Sequence, residues 1–209
     1  MQQYVAFDVS KQSSEAVIVD EVGNRLVSRK VATDPSAMAA FVEKYGENVV
    51  SVGFEVGPLS TWLYHELKDA GLPVVCIDSW RARAALSARL NKTDRTDAAG
   101  LADLLRAGFH HPVYVKSYAA HEVRAMLKVP DSLVAQRRTL QNTIRGLLET
   151  FGLVLGKGAG GRFAVLVEEA LLQRPSLRSS IEPLLGIWQA TRKAAAAMHR
   201  QLRALAGAD

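Results

Sequence analysis

Cysteine is almost missing from this chain: among 209 residues only Cys76 carries a thiol. One thiol supports neither a disulfide framework nor a cysteine-built zinc site, and it suits a reducing compartment. Long hydrophobic runs are missing too. The longest strand-like apolar run, residues 72–77, has six residues, whereas a membrane-spanning helix needs about 20. No membrane partner is expected. The opening Met1-Gln2-Gln3-Tyr4 offers neither a basic n-region nor an apolar h-region, which argues against a secretory signal and for a cytoplasmic location.

The C-terminal third is short of acid. Residues 1–130 balance 15 Lys/Arg against 15 Asp/Glu, while residues 131–209 hold 11 against 6, so the whole net charge of +5 lies there. A basic tail on a neutral head suits a polyanion partner, and it equally suits a solvated helical surface. With 48% hydrophobic residues, the chain can build one good-sized core plus an appendage.

The apolar runs arrange themselves as strands first. Tyr4-Val5-Ala6-Phe7-Asp8-Val9 reads as a buried strand, residues 14–20 as a second and 25–31 as a third, with Gly23-Asn24 as a hairpin turn. Asp34-Pro35 starts a helix with Asp34 as cap and Met38, Phe41, Val42 and Tyr45 on one face. Residues 49–55 form a strand ending in Glu55. Ser60 caps a helix to Leu67, Gly71 stops it, and residues 73–77 form a fifth strand; everything beyond reads as helical. The order β-β-β-α-β-α-β-α fits an α/β, ribonuclease H-like (RuvC-like) mixed sheet, in which the first and fourth strands lie parallel and adjacent. Asp8 and Glu55 then meet at the carboxyl edge of the sheet, where α/β folds place their sites.

Carboxylates on apolar central strands need a reason, because their desolvation costs several kcal/mol unless something cationic compensates. The stretch Asn91-Lys92-Thr93-Asp94-Arg95-Thr96-Asp97-Ala98 supplies more acid. It opens an Ala/Leu-rich helix, capped by Asn91 or Thr93, and puts Asp94 and Asp97 on one face. Acid in a first helical turn is favoured by the helix dipole with no function required. A salt bridge to Lys11 or Arg95 is one way to hold these groups together, and a hard divalent cation bound by oxygen is the other. No His stands at ligand spacing with them; His110, His111 and His121 lie beyond the helix. Arg81, Arg83, Arg89, Lys92 and Arg95 flank the acidic stretch, which suits a site holding metal and phosphate backbone together and equally suits an exposed basic helix.

Three blocks carry a family resemblance. Asp8-Val9-Ser10-Lys11 resembles the D-x-[SH]-K opening of the DEDD transposases of bacterial insertion sequences, the family numbered one hundred and ten, also called bridge-RNA-guided recombinases. Phe54-Glu55-Val56-Gly57-Pro58 with Trp62-Leu63 is similar to its E-x-[TG]-G-x-Y block, with Leu59 where an aromatic often stands. Lys92-Thr93-Asp94-Arg95-Thr96-Asp97-Ala98 resembles its K-[TN]-D-x-x-D-A signature. The likeness covers residues 4–116 and extends loosely through Arg137-Arg138. It implies that Asp8, Glu55, Asp94 and Asp97 are a catalytic, metal-binding tetrad for Mg2+ or Mn2+. It also implies DNA as substrate, a guide RNA as partner and a bacterial cytoplasmic setting. Lys11, Arg81, Arg83, Arg89, Lys92, Arg95, Arg137, Arg138 and Arg145 become the nucleic-acid-binding candidates.

In the tail, Leu133, Arg137, Leu140, Ile144, Leu147 and Phe151 alternate spacings of four and three. Ile181, Leu184, Trp188, Thr191, Ala195, Met198, Leu202 and Leu205 alternate three and four. A glycine-rich break at residues 156–161 and a helix over 162–173 separate them. The expected organisation is therefore a RuvC-like DEDD catalytic domain at 1–118 and a helical coiled-coil region at 119–209. The latter either joins copies as a homodimer or higher oligomer or folds on itself as a hairpin. The family continues into a domain bearing a nucleophilic serine, and residues 206–209 hold nothing of it, so the chain reads as a fragment that binds without joining strands. Three alternatives stand beside this reading: a RuvC-like structure-specific endonuclease, an actin-like kinase, and a non-catalytic nucleic-acid-binding dimer. The kinase reading lacks a Gly/Thr-rich phosphate loop after Asp8.

Overall fold

The computed structural model describes residues 1–80, 82, 94–158 and 160–207, with backbone alone for 94–96. Arg81, Arg83, Arg89 and Lys92, the capping candidates Asn91 and Thr93, and the side chains of Asp94 and Arg95 lie outside the described residues. The chain divides into two compact units, Met1–Tyr118 and Ala119–Asp209.

In the first unit β1 (Gln3–Val9), β2 (Ser13–Asp20) and β3 (Arg25–Ala32) form an antiparallel meander. They are followed by α1 (Pro35–Tyr45), β4 (Val49–Glu55), α2 (Ser60–Asp69), β5 (Val74–Ile77) and α3 (Asp94–Arg106). The sheet order is β3-β2-β1-β4-β5, with β4 parallel to β1 and β5 parallel to β4. This is the ribonuclease H-like, RuvC-like arrangement that the element order predicts.

Helices cover both faces of the central strands, which is why those strands read as continuous apolar runs rather than alternating ones. Val5, Phe7, Ala16, Ile18, Val52 and Phe54 pack on one side against Met38 and Phe41 of α1 and Leu63 and Leu67 of α2. Ala6, Val17, Val19 and Ile77 pack on the other against Ala98, Leu101, Ala102 and Leu105 of α3. Phe7 meets Phe41 edge-on at 6.0 Å between ring centroids. Burying each such large side chain stabilises the fold by roughly 1.5–3 kcal/mol.

Small side chains on the α3 face let the helix approach closely. Gly53 is the tightest case: a Cβ there would come within 2.6 Å of a Leu105 methyl, so glycine in this strand marks a close approach rather than a turn.

Local signals act as read at two places. The Asp34 side chain accepts from the Ala37 N–H at 3.0 Å, capping α1. At the β2–β3 turn Gly23 takes φ 94°, and Asp20 accepts from the N–H groups of Val22 and Asn24 and from Asn24 Nδ2 at 2.8–3.0 Å. Burial pushes the Asp20 carboxyl up, and these Asn24, Val22 and Gly23 donors outweigh it, leaving the group below its ordinary range.

Two readings are corrected. Ser60 is inside α2 and does not cap it; Leu59 stands at the cap, and the Ser60 hydroxyl donates to the Gly57 carbonyl at 2.7 Å. The chain after β5 is not wholly helical either. Ile77 bridges Pro112 antiparallel, Val113 N–H donates to Cys76 O and Asp78 N–H to His111 O, so residues 111–113 cover the β5 edge.

The second unit holds α4 (Tyr118–Glu149, whose first residue closes the first unit), α5 (Gly161–Gln173), a 3-10 turn (Pro175–Leu177) and α6 (Arg178–Ala206). Ile144, Leu148, Phe163, Val167, Ile181 and Trp188 anchor its core, with the Phe163 and Trp188 rings 4.9 Å apart. The buried positions drift from the heptad reading. Leu148 is buried while Leu147 is 41% exposed, and Leu185 is more buried than its neighbour Leu184. A straight helix of 3.6 residues per turn slips against a 3.5-residue repeat, which accounts for the one-residue offset.

Two substitutions test these packing and turn interactions. Gly53→Ala should lower stability by about 1–3 kcal/mol by forcing Leu105 off the sheet, measured by urea unfolding; an unchanged midpoint would show that the approach is slack. Asp20→Ala should lower the unfolding midpoint at neutral pH. The folded value of Asp20 is depressed, so its contribution is full above about pH 4 and is lost as pH falls through the folded value. The gap between wild type and variant should therefore close in acid. A gap of constant size would contradict it.

Candidate functional site

Asp8 and Glu55 stand abreast. The parallel register pairs Ala6 with Gly53 and Phe7 with Phe54, and one step further brings Asp8 beside Glu55, the last residue of β4. Neighbouring strands lie about 4.8 Å apart. Tyr4 and Ala6 belong to the α3 side of β1 and Gly53 meets Leu105 of α3. Strand alternation therefore sends Asp8 and Glu55 to that same face. Both are half-buried.

A third carboxylate extends the row. In the antiparallel register Asp8 pairs with Glu15 of β2, and Glu15 pairs in turn with Lys30 of β3. Paired residues share a face, so Lys30, Glu15, Asp8 and Glu55 run in order across four strands. The sequence reading missed Glu15. Its only signal is one acidic residue before the apolar run 16–19, and its partner follows from strand pairing alone.

α3 approaches the same edge with its N-terminus. Its last residue, Arg106, reaches back to the Glu21 carbonyl at 3.5 Å beside Gly23, at the β2–β3 turn. That turn neighbours the opposite end of β1, since Gln3 pairs with Asp20. A 13-residue helix is about 20 Å long, so α3 runs back across β1, β2 and β4 and directs its first turn to the edge of Asp8 and Glu55. Asp97 is half-buried in that part of the helix and Asp94 is its first residue. The positive end of the helix dipole favours negative charge there. Among the described residues, no three His, Cys, Asp or Glu side chains close on one point tightly enough for a metal ion.

A cavity of about 330 Å³ opens at the ends of β1 and β4 on the α2 side of the sheet, lined by Asp8, Ser10, Lys11, Glu55, Gly57 and Ser60 together with Phe54, Leu59 and Leu63. Its first wall is the β1–β2 turn. Thr33 fixes that turn: its hydroxyl donates to Ser10 O at 2.8 Å and contacts the Ser14 hydroxyl, and its N–H donates to Gln12 O. The second wall is held by the Ser60–Gly57 bond. Lys11 is thus an exposed cation lining this cavity beside the ends of β1 and β4. Cys76 lies beneath Ser60, and burial pushes its thiol up to about 11, so it stays protonated and is no nucleophile at neutral pH.

The remaining basic candidates divide. Arg137 is half-buried and Arg138 exposed on α4. Arg145 is engaged within its own unit. Its guanidinium donates to Leu155 O at 2.7 Å and Gly156 O at 3.0 Å and lies over the Phe163 ring at 5.4 Å. It fixes the loop after α4, which argues against the phosphate-binding role read from the sequence.

Comparison with known proteins agrees with the sequence blocks. The family DEDD_Tnp_IS110, described as transposase, matches residues 5–152. The transposase for insertion sequence element IS1111A of Coxiella burnetii (strain RSA 493 / Nine Mile phase I) is 29% identical over 152 residues, covering 73% of this chain. The chain spans 40% of that relative's length. Among solved structures, Thermus thermophilus RuvC aligns over 53% of this chain and 99% of its own, at 13% identity and a TM-score of 0.40. The ethanolamine utilization protein EutJ from Carboxydothermus hydrogenoformans aligns over 42% and 40%, at 16% and 0.32. The fold assignment rests on strand order and register rather than on those two likenesses. With 148 of its residues matched by the family, the chain belongs to the DEDD transposases of the IS110 type.

Proposed function

We propose that residues 1–118 are the DEDD catalytic domain of a DNA transposase or recombinase that acts on DNA phosphodiesters with a divalent metal. One observation carries this reading: Asp8 and Glu55 lie side by side at the carboxyl ends of two central parallel strands, with the first turn of α3 directed to the same edge. The donors at this edge are carboxylate oxygens, which suit hard Mg2+ or Mn2+ and not a soft ion. Asp8, Glu55, Asp94 and Asp97 are the residues that would hold it. When bound, such an ion supplies Lewis acidity and charge neutralisation at a phosphoryl oxygen. Lys11, on the cavity rim, binds and orients a phosphate. Glu15 stands opposite Lys30 in the β2–β3 register and is left outside the tetrad.

Residues 119–209 serve assembly in this reading. Val123 and Leu127, both 56% exposed, lie on α4 well before its buried core residues Ile144 and Leu148. They form an apolar stripe suited to a homodimer or higher oligomer. A guide RNA, a serine-bearing further domain and a bacterial cytoplasmic setting belong to the same proposal and are supported by family membership alone. No helix among the described residues is long and apolar enough to cross a membrane.

Thermal melting in rising MgCl2 or MnCl2 tests the site. An ion at 100 times its dissociation constant adds about 2.7 kcal/mol to the folded state. Wild type should gain stability with metal concentration, and Glu55→Gln and Asp97→Asn should lose that gain while keeping their circular dichroism spectra. In a full-length relative, Asp97→Asn should abolish metal-dependent phosphate chemistry and spare salt-sensitive DNA binding. Equal metal response in wild type and both variants would remove the tetrad.

A further inference from the structure

The net positive charge of the C-terminal third is unevenly available. Arg145 holds the loop after α4, Arg174 lies over the Phe151 ring at 4.9 Å, and Arg178 pairs with Glu168 at 3.2 Å. Further along α6 the pattern changes. Residues 183–207 contain Arg192, Lys193, Arg200 and Arg203 and no Asp or Glu, and all four cations are exposed.

Their spacing makes one stripe. Lys193 and Arg200 are seven residues apart, two helical turns, and share a face; Ala196 lies between them and Arg203 about one turn on. Trp188, Thr191 and Ala195 occupy the opposite side and are buried. Arg192 borders the stripe with its guanidinium 5.9 Å from the Trp188 ring centroid. Arg192, Lys193, Ala194, Ala196, Ala197 and Arg200 line a shallow concavity of about 540 Å³. Alanines between the cations keep the helix surface low, so a partner's backbone can come close.

We infer that the Arg192-to-Arg203 face of α6 is a docking surface for duplex DNA, with its cations on phosphates at the two sides of one groove. This rests on the DNA-acting reading above and adds a surface that the sequence blocks do not include. Charge complementarity selects the partner: closely spaced cations without intervening acid match a polyphosphate, whereas a second copy of the same stripe would repel it. The shape selects the duplex. From Lys193 to Arg203 the helix rises about 15 Å, enough to span the roughly 12 Å major groove of B-form DNA, which admits an α-helix. The deep, narrow major groove of A-form RNA does not. A membrane surface is disfavoured because Trp188, Thr191 and Ala195, on the side away from the stripe, are buried within the protein.

The test uses the full chain and a B-form DNA duplex of about 25 base pairs, followed by fluorescence anisotropy from roughly 50 to 200 mM salt. The variant is Lys193→Gln/Arg200→Gln/Arg203→Gln, which leaves Arg192 and its Trp188 stacking in place; its melting temperature should match wild type. The slope of log affinity against log salt should fall by about 2–3, near one for each phosphate that is no longer neutralised, with at least tenfold weaker binding at the low-salt end. An unchanged slope in the variant overturns the surface and leaves the DNA-acting reading standing. Absence of duplex binding by wild type at any salt overturns both. If the triple variant loses binding to an RNA duplex or to anionic vesicles but not to DNA, the surface serves another partner and the inference fails.

Discussion

Mutual repulsion between carboxylates on neighbouring central strands is the constraint on which this structure turns. Two unit charges about 5 Å apart repel by roughly 3 kcal/mol at an effective dielectric near 20, and half-burial limits the relief that water can give. A fold with Asp8 beside Glu55 must compensate within the same edge. Lys11 beside the strand ends and the N-terminal end of α3 act in that sense, and Lys30, opposite Glu15 in the β2–β3 register, places a cation further along the row. A divalent cation would act more strongly than any of them, since a site built of oxygen donors gains most from concentrated positive charge.

The scaffold explains why the carboxylates stay where they are. β1 is central, bonded to β2 on one side and β4 on the other, so a one-residue slip would drive Phe7 into the close approach of α3 and Asp8 into the apolar packing against α1 and α2. Gly53 and the alanines of α3 bring the helix down onto the sheet, and Thr33 and Ser60 fix the turns on either side of the cavity. Packing and the site therefore share residues one position apart: Phe7 and Phe54 hold the strands, and Asp8 and Glu55 follow them at the carboxyl ends.

Much of this was legible in the sequence because its signals are local. Asp34-Pro35, Gly23-Asn24 and the apolar runs around Phe7, Val17 and Phe54 place elements within a residue or two, and their order alone leads to the ribonuclease H-like sheet. What could not be read depends on neighbours distant along the chain. Glu15 looks like any strand residue until β2 is laid against β1. Residues 111–113 have no pattern of their own and gain structure only from the edge of β5. Arg145 and Arg138 look alike as charges, yet one clamps two carbonyls and a ring while the other is exposed. Ser60 resembles a cap by type, and its hydroxyl finds the Gly57 carbonyl instead.

The central claim is that Asp8 and Glu55 are joint ligands of one hard cation. It is tested most directly by soaking crystals of the chain in Mn2+ and recording anomalous difference maps at neutral pH. A peak is expected at the ends of β1 and β4, with carboxylate oxygens of both Asp8 and Glu55 at about 2.0–2.2 Å, absent from crystals of Glu55→Gln. A fully occupied Mn2+ site elsewhere, with both carboxylates left without metal, would contradict it.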